Sequence, residues 1–195
     1  MPRLLLWLCG AAICANGWSA EIVDGGLVPP ALLQLDRAHT RVEFEIVALW
    51  LLRRHGEFAD VDGRIDIDPE AGSAVISVRI RAASVRMQDP EHVRLLLSPE
   101  FFDADRHPWI EFRSDPFAID GGRHGALPGD LSLRGTTRRV RFDLDRGLCD
   151  LRLPSACTVV VAGNLQRSRF GMTGYRRTLA DRVHLKIAAR VVPTP

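Results

Sequence analysis

From Thr40 to Val191 apolar side chains keep returning at every second position, and this period limits what the chain can become. Thr40–Trp50 places Val42, Phe44, Ile46 and Ala48 on one face, with Arg41, Glu43 and Glu45 on the other. Arg53–Gly56 reads as a turn. Glu57–Asp68 then aligns Val61, Gly63, Ile65 and Ile67, and Asp68–Gly72 carries turn chemistry. Ser73–Val85 is the cleanest run, with Ala74, Ile76, Val78, Ile80 and Ala82 in phase. The alternation resumes at Pro108 with Ile110 and Phe112, then Phe117 and Ile119. It continues with Leu127, Gly129, Leu131 and Leu133, and with Val140, Phe142 and Leu144. Thr158–Gln166 predicts a further strand, and Val183, Leu185, Ile187, Ala189 and Val191 the last. Strict alternation of this kind is the signature of a half-buried β-strand.

One stretch departs from the period. Pro90–Leu97 predicts a short helix, with Asp89 as N-cap, Pro90 in its first position, and Val93, Leu96 and Leu97 along one side. Ser98-Pro99 ends it. Eight or nine strands and one helix remain to be assembled. Each strand has a single face to bury, so the solutions are a sandwich or a sheet closed on itself. Short connections pair each strand with its sequence neighbour. The expectation is an all-β, antiparallel up-and-down barrel of about eight strands. Its lumen is wide enough for side chains or one small ligand. The inward set is aliphatic and aromatic, so such a ligand is greasy. Within Leu96–Ser114, the helix end becomes a candidate lid, Phe101 and Phe102 fix it, and Ile110 and Phe112 belong to the wall.

Residues 1–20 are read as a signal peptide: a positive start at Arg3, an apolar run over Leu4–Ala15, and small residues toward Ala20. A lipoprotein anchor at Cys9 or Cys14 is the rival reading. Residues 21–34, with Pro29-Pro30, are expected to form an exposed N-terminal arm, 35–192 the barrel, and 193–195 a tail. Export places Cys149 and Cys157 in an oxidising compartment as an even pair, and a disulfide across the intervening loop is expected. A metal or redox pair is the alternative, but there is no C-x-x-C and no histidine nearby. The net charge of +2 argues against nucleic acid as a partner.

Several segments together resemble the YceI-like family. Leu35–Phe44 resembles its Asp-x-x-His-Ser/Thr-x-x-x-Phe opening, and Gly56–Ile65 its Gly-x-Phe-x-x-x-x-Gly-x-Ile segment. Ser98–Asp103 through Pro108–Phe112 is similar to its most recognisable block. Gly129–Thr137 and Arg167–Met172 are similar to two later turns. The likeness runs from about Leu35 to Val192. It departs where relatives carry Arg-Asp and Leu-Arg, here His92-Val93 and Leu96-Leu97. The resemblance implies a lipocalin-like barrel that binds a polyisoprenoid lipid in the periplasm, an isoprenoid quinone or polyprenyl lipid being the expected guest, with no covalent cofactor. The expected lining comprises Phe44, Ile46, Ile65, Val78, Ile80, Phe101, Phe102, Ile110, Phe112, Leu131, Leu133, Phe142 and Phe170. His39 and Arg167 are assigned to a polar mouth.

Other chemistry is thinly represented. His39 with Asp36 reads either as a head-group contact or as a structural hydrogen bond where a strand begins. The remaining histidines lack the close spacing of a metal motif, and no metal is expected. Glu100, Asp103 and Asp105 read as solvated loop acids. There is no nucleophile elbow and no phosphate-binding glycine loop, so no catalysis is expected. Two rival classes stay open. One is a filled barrel that acts through its surface, as an interaction or stress-response protein on a membrane redox partner. The other is a hydrolase or isomerase with a buried polar cluster. Transient membrane contact, and a monomer or a dimer, are both compatible with the sequence.

Overall fold

The computed structural model describes residues 32–147, 149–151 and 155–194. The expected leader and most of the expected arm lie outside these. The first stave of the barrel is β1 (Leu32–Leu35) and β2 (Arg41–Ala48), bent at a 3-10 turn over Arg37–His39. β3 (Leu52–Phe58) and β4 (Val61–Asp68) make the second. β5 (Ser73–Arg81) and β6 (Val85–Arg86) make the third. Helix α1 (Pro90–Leu97) follows, then a fourth stave of β7 (Trp109–Ser114) and β8 (Phe117–Ala118). β9 (His124–Leu133), β10 (Thr136–Asp145), β11 (Cys157–Gln166) and β12 (Leu179–Pro193) complete the set.

Each stave is antiparallel to its predecessor, and the last returns to the first. β12 pairs with β2 through Ile187↔Val42 and with β1 through Leu35↔Val191, while β1 also pairs with β4. The sheet is therefore a closed eight-stave barrel, as the alternation predicts. Closure leaves neither the first nor the last stave as a free edge. The seams are unequal. β9–β10 and β11–β12 are paired along ten residues each, but β10–β11 only from Asp143↔Ala162 to Asp145↔Val160.

Three local expectations change. Residues 32–34, placed at the end of an exposed arm, begin the sheet, and Leu33 is 1% exposed. At the other end Pro193, assigned to a tail, is the last residue of β12. Arg53–Gly56 is strand, not turn. The β2–β3 reversal lies at Leu49–Leu51, where the Leu51 amide donates to the Ala48 carbonyl. Helix α1 starts as predicted, with the Asp89 carboxylate accepting from the Glu91 amide.

The two ends of the barrel differ. At one end lie the β2–β3 reversal, α1, and the segment from Arg167 to Thr178. At the other, the Cys149–Cys157 disulfide joins the loop before β11 to its first residue. Arg146 is buried there, donating to the carbonyls of Ile119 and Gly122, and Leu151 is buried too.

Candidate functional site

The inward faces enclose an apolar cavity of about 150 Å³. All thirteen expected lining residues border it. Phe44 and Ile46 come from β2, Ile65 from β4, Val78 and Ile80 from β5, and Ile110 and Phe112 from β7. Leu131 and Leu133 come from β9 and Phe142 from β10. Phe101, Phe102 and Phe170 close the α1 end, with Leu96 and Met172 beside them. Neither of the last two was in the expected set, nor were the contributions of β11 and β12: Val159, Val161, Leu165, Val183, Leu185 and Ile187. The same period-2 pattern marks the β11 and β12 residues. Met172 and Leu179 sit in or beside a segment without periodicity and carry no such signal.

Glycines set how far the aromatic rings stand into the lumen. Gly56 lies across from Phe44, and a Cβ there would sit 2.2 Å from the Phe44 ring. A Cβ on Gly163 would sit 2.5 Å from the Phe142 ring. Each ring occupies the space of the missing side chain, so the wall absorbs it and the centre stays open. Phe112 and Phe142 meet edge to face, with ring centroids 5.3 Å apart.

The roof is held by two arginines. Arg167 is 3% exposed, and its guanidinium donates to four carbonyls: Ala180 at 2.9 Å, Met172 at 2.8 Å, Gly174 at 2.7 Å and Leu179 at 3.1 Å. Burial lowers its pKa and Asp181 opposes that. An arginine still remains charged. Its cation lies 5.9 Å from the Phe101 ring centre, and Phe101 stacks on Tyr175. Arg134 crosses from the β9–β10 turn, donating to the carbonyls of Gly171 at 2.6 Å and Pro99 at 2.5 Å. It thereby ties the α1 segment to the Arg167–Thr178 segment. Arg167 therefore sits at the roof of the cavity. His39 does not. It lies in the bend of the first stave, its side chain 67% exposed, and its Nδ1 is 2.7 Å from Asp36. That hydrogen bond holds the Asp36 carboxyl below its usual range, and the pair fixes the bend. Asp103, read as a solvated acid, is buried, with Arg106 and His107 nearby.

A more open apolar cleft of about 350 Å³ adjoins the cavity between α1 and the β2–β3 reversal. It shares Phe44, Ile46, Leu96, Phe101 and Leu179 with the lumen and adds Leu49, Leu52, Met87 and Tyr175. Among the described residues no group of three or more His, Cys, Asp or Glu side chains is placed to hold a metal ion.

A family model described as the YceI-like domain matches residues 33–191. The chain belongs to the YceI-like domain family. A UPF0312 protein of Pectobacterium atrosepticum is 33% identical over 144 residues, covering 73% of this chain and 71% of its own. One from Pseudomonas savastanoi is 31% identical over 134 residues, covering 66% and 69%. Among solved structures, Burkholderia cenocepacia BcnA superposes with a TM-score of 0.70 at 21% identity, over 80% of this chain and 98% of its own. A polyisoprenoid binding domain from Saccharophagus degradans, implicated in plant cell wall breakdown, gives 0.63 at 12% identity, over 83% and 98%. These likenesses establish the barrel. The YceI-like match begins within β1, in keeping with the part that strand takes in closing the ring.

Proposed function

We propose that this YceI-like domain is a non-catalytic carrier or sensor for an isoprenoid lipid, a quinone or polyprenyl lipid, in the periplasm. The observation that carries the reading is the cavity lining, which is apolar apart from Arg64 and Arg167. Arg64 keeps its guanidinium outside, bonded to Asp66. Arg167 spends its donors on backbone carbonyls. Neither supplies a general base or a nucleophile to a guest. The disulfide is compatible with export, and the polyisoprenoid-binding neighbour agrees with the ligand class.

Size refines the reading. An apolar cavity of roughly 150 Å³ takes a guest the size of benzene, close to one five-carbon prenyl unit. Burying such a unit contributes about 4 kcal/mol gross, at ~0.8 kcal/mol per carbon. A longer tail lies partly in the adjoining cleft, or enters as the inner side chains change rotamer. Ordering that tail offsets part of the gain. The modest volume is also the one observation that favours a second reading, a nearly filled barrel acting through its surface. Native mass spectrometry of the purified protein, before and after adding a prenylated quinone, separates them. The carrier reading expects a retained or acquired lipid mass, abolished by Leu131→Trp. A protein that stays empty at saturating quinone supports the filled barrel instead.

A further inference from the structure

Exposed large apolar side chains are concentrated at one place. Leu49, Trp50, Leu51 and Leu52 are 53%, 84%, 85% and 45% exposed. They form the tip of the β2–β3 hairpin, beside exposed Tyr175 on the loop that bonds it through Leu49 N–H to Thr178 O at 2.7 Å. Single exposed apolar residues mean little, but a contiguous patch marks an interaction site. The backbone makes the same point. Leu49 and Trp50 have φ of 48° and 62°, a left-handed pair of the kind that hairpins fill with Asn-Gly. Large apolar residues stand where the turn itself disfavours them, and they point into solvent.

Charge says what covers them. Arg53 and Arg54 follow the tip directly, and Arg176 and Arg177 follow Tyr175, all exposed. Neither run, 49–56 nor 173–180, contains an acid. The acids of this end include Glu45, paired with Arg53 and His55; Asp89 and Glu91 at the start of α1, engaged with His92 and Arg94; Glu100 near Gly174; Asp103, with Arg106 and His107 nearby; and Asp181, which accepts from the Ser168 amide and hydroxyl. Tryptophan, tyrosine and leucine rimmed by arginine is the composition of a segment seated at a bilayer interface.

We infer that the Leu49–Leu52 hairpin tip, with Tyr175, docks into the surface of a bilayer containing anionic lipid, setting the apolar cleft against the membrane. This deepens the carrier reading and rests on it: a prenyl chain then passes from bilayer to cleft to lumen without crossing water.

Brominated-lipid quenching tests it, with the emission of wild type minus Trp50→Phe isolating Trp50 whatever else in the chain touches lipid. On vesicles of phosphatidylcholine with one-third phosphatidylglycerol, Trp50 emission is expected to shift to the blue and be quenched. The Arg176→Gln, Arg177→Gln double variant should weaken the vesicle affinity read from Trp50 by roughly tenfold or more, each cation at an anionic surface contributing about a factor of five. Trp50 emission unchanged by vesicles overturns the inference. So does quenching that is equal on pure phosphatidylcholine and indifferent to the arginine substitutions. Uptake of farnesol from vesicle-free solution, read by native mass spectrometry, is scored separately. Its failure removes the cavity reading while Trp50 still reports on docking.

Discussion

Arg167 is a cation in an apolar roof, and its neighbours explain how it is tolerated. Four carbonyls replace the water it gave up, and the Asp181 carboxylate adds a favourable charge. Arg167→Leu strands those acceptors and is expected to cost on the order of 3 kcal/mol in urea denaturation. Arg167→Lys restores only part, because an ammonium cannot reproduce the planar fork. A second residue-scale expectation concerns acid. Arg139 hydrogen-bonds Asp115 and holds its carboxyl below the usual range. A carboxylate lowered in the folded state stabilises fully above its unfolded value of about 4, and loses that contribution as pH falls through the folded value. Asp115→Asn should therefore lower the urea midpoint at pH 7, and the two midpoints should converge at the acid end. The sequence showed Arg167 next to Phe170 but not its burial, because its partners lie in a segment without periodicity. His39 failed for a related reason. Leu35 and Val42 are both buried although seven positions apart, so the 3-10 turn resets the phase and the face of a residue within it is illegible.

The elements were legible wherever the period held and misplaced where composition misled. Arg53-Arg54-His55 looked like a turn because it is charged, and Leu49-Trp50 looked like strand because it is greasy. In the folded chain the charged run is the strand and the greasy run is the turn. Strand glycines were legible as positions but not as partners of the rings. Gly56→Ala should push the Phe44 ring toward the lumen, destabilising the barrel by about 1–3 kcal/mol and reducing lipid uptake in native mass spectra. At the other end, the disulfide spans a sequence separation of 8. Replacing both cysteines by serine should cost roughly 2–3 kcal/mol in denaturation, yet leave uptake through the α1 end unchanged.

At the scale of the whole molecule, the closed barrel follows from alternation and short connections, and both can be read along the chain. Closure by β1 could not be, since Leu32–Leu35 is too short to show a period and follows a proline pair. Its inclusion joins the last stave to the first and leaves the ring unbroken, but not uniform. Between β10 and β11 only three residue pairs hold the wall. Above them, a polar cleft lined by Arg139, Arg141, Arg169 and Arg182 takes the place of the ladder. As a vessel, this barrel has a soft line down one side. In deuterated solvent, amides of upper β10 and β11 that face this cleft should exchange well before those of the fully laddered β11–β12 seam. A bound tail that stiffens the lumen should slow that exchange first.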